Sequence, residues 1–244
     1  MSVTGAARLR AVAGPRGSWR ALRGSAITAP GFGGTQALRL AGNLALTHIL
    51  FPEAFGLMTL VTVFIVGLGM LSDIGLGPAI HQSARGDDLR FLGTAWTLQA
   101  IRGVGLFAAA CAIAPLAAAF DGVAALALLL PVSALSRVIA GITPIRQEVA
   151  VRHLRPGRLT MIDLGAQAAG LAVTLVLAVL LGSVWSLVTL VIGGVVGAVI
   201  RLGLVTAFLP GPRVPALLDR EATRDLIRFG RLVFLSTLCA FLVA

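Results

Sequence analysis

Residues 83–121 read SARGDDLR, then FLGTAWTLQAIRGVGLFAAACAIA, then PLAAAFD, and this stretch decides the fold. Its middle part, 91–114, is an apolar run interrupted by one charge, Arg102. Arg85 and Arg90 precede the run, and Asp121 is the charge that follows it. A helix rises about 1.5 Å per residue, so about 20 mostly apolar residues cross a bilayer core of about 30 Å. The run is long enough to cross. Its flanking arginines sit at one end, and cytoplasmic loops are where Lys and Arg gather.

The same pattern repeats along the chain. Further apolar segments are read at 26–50, 57–82, 122–143, 160–181 and 186–208. The N-terminal tail carries Arg8, Arg10, Arg16, Arg20 and Arg23. The gap 144–159 carries Arg146, Arg152, Arg155 and Arg158, and 209–231 carries Arg213, Arg220, Arg224, Arg228 and Arg231. The alternate gaps, 51–56, 115–121 and 182–185, hold no arginine and only the acids Glu53 and Asp121. Sixteen of the twenty arginines therefore fall in every second gap. This alternation predicts an all-α polytopic transmembrane helix bundle with six full helices and a cytoplasmic N-terminus.

Composition agrees. Hydrophobic residues make up 57% of the 244 and charged residues 12%, against about a quarter charged in an ordinary soluble domain. The net charge of +10 follows from the loop arginines. No aromatic–basic platform accompanies it, so nucleic acid is not the expected partner. Cys111 and Cys239 lie in apolar runs with no metal or disulfide spacing. Neither a metal nor a cofactor is expected.

Residues 1–25 read as a disordered basic cytoplasmic tail, and 26–208 as the six-helix lobe. Residues 209–231 form a basic cytoplasmic linker. Within it Leu218, Leu226 and Ile227 alternate with Arg220, Arg224 and Arg228 at helical spacing. Such a helix would lie on anionic lipid headgroups; an ordinary basic loop is the alternative. Residues 232–244 are apolar but too short to span, and are expected to begin a seventh helix of a longer protein.

Four arginines lie inside apolar segments: Arg39, Arg102, Arg137 and Arg201. An ionisable group costs about 2.5–3.5 kcal/mol at the centre of a spanning helix on insertion scales. Counted from the cytoplasmic ends, Arg39 is about 20 Å deep and Arg102 about 16 Å. Gln36, Arg39, Asn43 and Thr47 share one helical face, and Gln99 precedes Arg102 by three residues. A polar stripe of this kind lines a cavity or a helix contact. Arg39, Arg102, Gln36, Asn43 and Gln99 are therefore the candidate substrate-binding residues, with the guanidinium forks suited to phosphate. Asp163 is the expected structural partner of Arg137, both lying near the cytoplasmic ends of their segments. His48, His81 and His153 read as ordinary interfacial residues. The sequence has no HExxH, P-loop or GxSxG motif and no legible nucleophile–base pair, so no enzyme is expected.

Residues 39–56, RLAGNLALTHILFPEAFG, and 71–79, LSDIGLGPA, resemble the start of bacterial oligosaccharide/polysaccharide flippases of the multidrug/oligosaccharidyl-lipid/polysaccharide exporter superfamily. There L-x-P-E-x-F-G follows helix one and S-D-x-G-L ends helix two. Residues 96–103, the basic loop 144–158 and Arg228-Phe-Gly230 extend the similarity. The resemblance implies twelve to fourteen helices in two lobes around a cavity, of which this chain would be the first lobe. It implies a polyprenyl-diphosphate-linked oligosaccharide as cargo, moved outward across the bacterial cytoplasmic membrane by alternating access. It also implies a polysaccharide polymerase and glycosyltransferases as partners. Two other readings stay open. One is a multidrug or cation antiporter, which would need deep acids; the other is a membrane-embedded glycan polymerase or ligase, which would need a large external loop.

The orientation is testable by fusion. Alkaline phosphatase, active only outside the cytoplasm, is expected to be active when fused after Asp121 and inactive when fused after Arg158. The reverse result would invert the topology.

Overall fold

The computed structural model describes residues 33–48, 52–72, 75–153, 156–181, 186–212 and 214–230. Among them the secondary structure is helical, with no strand. The helices are α1 (33–48), α2 (Pro52–Leu71), α3 (Leu76–Gln82), α4 (Leu89–Asp121), α5 (Leu126–Ile142), α6 (Arg146–Arg152), α7 (Pro156–Leu181), α8 (Ser186–Phe208) and α9 (220–230). The expected basic tail, 1–25, and the start of a seventh helix, 232–244, lie outside the described residues.

The chain is a multi-pass membrane protein by its helices. Among the described residues α4, Gly157–Leu181 of α7 and Leu187–Phe208 of α8 are long and apolar enough to cross a bilayer. A fourth crossing forms if α5 and α6, bent by 61°, count as one. Described α1 and the apolar part of α2, Gly56–Met70, are shorter than a full span. Among the described residues, three or four of the six expected spans are thus present at full length. Large apolar side chains point outward, as lipid contact requires: Phe120 is 91% exposed and Leu180 74%.

Two segment boundaries differ from the sequence reading. The segment read as 57–82 is broken: α2 ends at Leu71, and Gly75 precedes α3 with φ 61°. That left-handed conformation suits glycine, which has no Cβ to clash. Backbone geometry at Gly75, not hydropathy, sets where α3 begins. Helix α4 runs past Pro115 to Asp121 and closes on Gly122 at φ 68°. Spanning helices tolerate proline where neighbours re-satisfy the freed backbone groups, so the gap read at 115–121 is helical. At its other end, the Asp88 side chain accepts a hydrogen bond from Arg90 N, an N-cap.

Helix α4 packs on α5 and α7 on α8, and the two hairpins meet along α5 and α8, with α2 against α5. The central core combines Val61 and Ile65 of α2, Ala110, Ala114 and Ala117 of α4, Leu126, Leu129, Leu130 and Ala134 of α5, and Val191 of α8. Lipid tails are as apolar as leucine, so packing rather than hydrophobic expulsion holds such helices together. Small residues permit it. A Cβ on Gly103 would lie 2.7 Å from the Arg137 carbonyl oxygen, and one on Gly141 would lie 3.0 Å from the Gln99 carbonyl oxygen. At the second crossing, a Cβ on Gly170 of α7 would lie 3.1 Å from Gly197 Cα of α8.

A second apolar cluster caps the arginine-rich end. It joins Leu76, Ala79 and Ile80 of α3, Phe91, Leu92 and Ala95 of α4, Ile145, and Ala222 and Leu226 of α9. Arg85 clips α9 in place, lying 3.4 Å from Asp225 and 3.7 Å from Glu221, with Asp88 at 3.3 Å. Desolvation works to lower the Arg85 pKa, but Asp88, Glu221 and Asp225 together raise it above its ordinary value.

Overpacking the α4–α5 crossing should show in stability. Gly141→Val is expected to cost about 1–3 kcal/mol, read as a lower Tm of the detergent-solubilised protein. Gly105→Val, on the same pair of helices but facing open space, should leave Tm unlowered.

Candidate functional site

Helix α4 carries a polar edge of three side chains, Trp96, Gln99 and Arg102, each about one turn from the next. All three reach carbonyl oxygens where a neighbouring helix ends. Arg102 Nη2 donates to Gly69 O at 2.8 Å and its Nε to Ser72 Oγ at 3.0 Å, closing the last turn of α2. Gln99 Nε2 lies 2.9, 3.2 and 3.3 Å from the carbonyl oxygens of Ala140, Gly141 and Thr143, and Trp96 Nε1 donates to Ile142 O at 3.3 Å. Together they close α5. The last carbonyls of any helix lack intrahelical donors, and no water satisfies them in the bilayer core. Both Gln99 and Arg102, expected to face cargo, are thus engaged with backbone.

Two arginines of α6 do the same. Arg146 Nη1 donates to Thr206 O and Leu209 O, both at 3.3 Å, at the end of α8. Arg152 Nη1 donates to His81 O at 3.2 Å and Ser83 O at 2.7 Å, at the end of α3, and its Nε to Asp87 at 3.3 Å. These two roles escaped the sequence reading, which counted both residues only as topological charge. His81 lies 3.0 Å from Glu148 and His153 3.0 Å from Asp87, so both join this end layer.

The expected pair of Arg137 with Asp163 does not form. Asp163 Oδ1 instead accepts from Arg201 Nε at 2.8 Å, while Arg201 Nη1 donates to Gln147 at 3.1 Å. The reason is rotational. Arg137 belongs to the face of α5 that crosses α4 at Gly103, whereas Asp163 on α7 faces α8. Arg137 has the charge of Arg102 as its neighbour, and its buried Nε has no hydrogen-bond partner among the described residues.

A groove of ≈ 510 Å³ opens between α1, α7 and α8. Arg39 and Asn43 line one wall; Asp163, Gln167 and Arg201 line another; Gly193, Gly194 and Gly197 floor it. Gln167 Nε2 donates to Thr35 O at 3.4 Å and ties α7 to α1. A Cβ on Gly194 would meet nothing within 4 Å, and that open backbone makes room for the groove. Asp163 neutralises Arg201, so Arg39 supplies the groove's net positive charge. Arg39 is exposed and makes no hydrogen bond or ion pair among the described residues. Gln36, on α1 with Arg39 and Asn43, is exposed and outside the groove lining. The five candidate residues therefore divide. Arg39 and Asn43 share the groove, Gln36 lies beside it, and Gln99 and Arg102 belong to the α2–α4–α5 contact.

A family model described as polysaccharide biosynthesis protein matches residues 45–244. The chain belongs to that family. No curated protein and no solved structure matches it. As a polysaccharide biosynthesis protein it has a role in making polysaccharide. The match takes in α2 to α9 and the last turn of α1, so Arg102, Arg137, Asp163 and Arg201 fall within it and Arg39 lies six residues before it.

The ion-pair correction can be measured. A double-mutant cycle of Asp163→Asn with Arg201→Gln, read by unfolding in detergent, is expected to show a coupling of about 0.5–1 kcal/mol, the range for half-exposed pairs. The cycle of Asp163→Asn with Arg137→Gln should show none.

Proposed function

We propose that this polysaccharide biosynthesis protein is a flippase. Its cargo would be a polyprenyl-diphosphate-linked oligosaccharide, moved outward across the bacterial cytoplasmic membrane for exopolysaccharide, capsule or O-antigen assembly. The observation that carries the reading is the groove between α1, α7 and α8, with Arg39 as its net charge and Asn43 and Gln167 as neutral hydrogen-bonding groups. A diphosphate is a compact dianion, and an arginine fork binds phosphate oxygens in parallel pairs. Asparagine and glutamine amides are suited to sugar hydroxyls, since each both donates and accepts. The N-terminus is cytoplasmic in this reading, and Arg39 lies about 20 Å into the bilayer from that side. Transport would follow from rocking of one lobe against another around the loaded site.

One feature of the groove supports transport over chemistry: its acid, Asp163, is already paired with Arg201. That pairing also weighs against a cation antiporter, which needs an acid available to its ion. A polysaccharide polymerase and glycosyltransferases would be the functional partners, making the cargo before it crosses and using it afterwards.

The test is glycan export in a flippase-deleted bacterium complemented by the complete gene. Arg39→Ala is expected to lower export about tenfold or more at equal membrane abundance, the scale of one lost charge-assisted contact. Arg39→Lys, which keeps the charge and loses the fork, should fall between. Unchanged export by Arg39→Ala would remove the groove from the mechanism. Failure of the wild-type gene to restore any export would count against the flippase itself.

A further inference from the structure

Helix α9 is an amphipathic helix seated on the bundle, and its two faces differ sharply. Asp219 begins it as an N-cap: its Oδ2 accepts from Ala222 N at 3.1 Å. Its own N–H donates to Thr94 Oγ1 of α4 at 3.1 Å, and Thr94 is fully buried. Ala222 and Leu226 are fully buried against Phe91, Leu92 and Ala95, with Phe229 packed beside them. These contacts fix the rotation of α9 about its axis.

The opposite face carries Arg220, Arg224 and Arg228, each one turn from the next and all exposed. Leu218 and Ile227, 56% and 40% exposed, stand among them. With Thr223 these five side chains line a groove of ≈ 780 Å³. The helix's own acids do not neutralise it, because Glu221 and Asp225 turn to Arg85. Among the described residues none of the three arginines forms an ion pair.

Position then selects the occupant. Residues 91–95, on which α9 sits, form the first turn of the apolar run of α4. That turn marks where the bilayer core begins, so α9 lies at the depth of the headgroups. A face that alternates three cations with two bulky apolar groups at this depth matches a phospholipid, with phosphate on the guanidinium groups and upper acyl carbons on Leu218 and Ile227. Nucleic acid would offer nothing to the apolar pair.

We propose that the outward face of α9, built from Arg220, Arg224, Arg228, Leu218 and Ile227, binds the headgroup of anionic phospholipid. The inference does not depend on what the protein transports, and its test reads lipid binding rather than export. Full-chain protein in detergent is titrated with phosphatidylglycerol or phosphatidylcholine and retained lipid is counted by native mass spectrometry. Wild type is expected to prefer phosphatidylglycerol. Each Arg→Gln change should reduce that preference about fivefold, and the triple Arg220→Gln/Arg224→Gln/Arg228→Gln variant about a hundredfold. The triple Arg→Lys variant should keep most of it, since a headgroup surface reads charge, and Leu218→Ser/Ile227→Ser should weaken it with all arginines present. Equal preference in wild type and the triple Gln variant would overturn the proposal, as would full displacement of the lipid by an equal concentration of free glycerol phosphate. A triple Gln variant with wild-type Tm shows that any loss is not misfolding.

Discussion

A helix that ends inside a bilayer leaves carbonyl oxygens that no water can satisfy. In this protein the answer is a set of long donors projected from neighbouring helices. Arg102 closes α2, Gln99 and Trp96 close α5, Arg146 closes α8 and Arg152 closes α3. Each donor sits on a different element from the end it caps, so each is also a tie between helices. A guanidinium suits this work because it delivers several hydrogens to carbonyls arranged around a helix end, where the negative end of the helix dipole favours a cation. The arginine count of the chain therefore reflects architecture as well as topology.

Close approach of the backbones makes these ties possible. The side chain of Gln99 reaches the last turn of α5 because Gly103 and Gly141 let the two helices cross with little between them. The same device at Gly170, Gly193 and Gly197 brings α7 to α8. There it leaves a glycine-floored groove on the side toward α1. Packing and site are thus products of one choice of small residues: where a second helix covers them they make a contact, and where it does not they make room.

That division separates the intramembrane arginines by role. Arg102 is held by backbone acceptors and Arg201 by a carboxylate. Arg39 stands in a groove without either among the described residues. Depth alone ranked Arg39 and Arg102 together as the cations most in need of explanation. The structure distinguishes them by what the adjacent helix offers. A broken helix gives Arg102 carbonyls; the unbroken glycine faces of α7 and α8 give Arg39 space. The arginines of α9 belong to a third situation, outside the bundle and turned away from it by the burial of Ala222 and Leu226.

Alternating arginine along the sequence determined the class of fold, because loop charge and apolar length are local properties that membrane insertion reads directly. The spacing of Gln36, Arg39 and Asn43 placed them on one side of a helix for the same reason, and the motifs of 39–56 and 71–79 pointed to the family that the match over 45–244 established. The sequence reading missed the breaks. It joined α2 to α3 across Gly75 and stopped α4 at Pro115, since hydropathy does not register a left-handed glycine or a proline whose neighbours accommodate it. It also could not assign partners. Asp163 is a plausible mate for Arg137 by depth and for Arg201 by depth; only the rotation of α5, α7 and α8 about their axes, set by glycine contacts far apart in the chain, gives it to Arg201. The sequence by itself determined the helical membrane class and which polar residues share a helical face. Which of them face a carbonyl, a carboxylate or an open groove was decided only by tertiary structure, because that depends on how helices rotate against each other and not on any one helix.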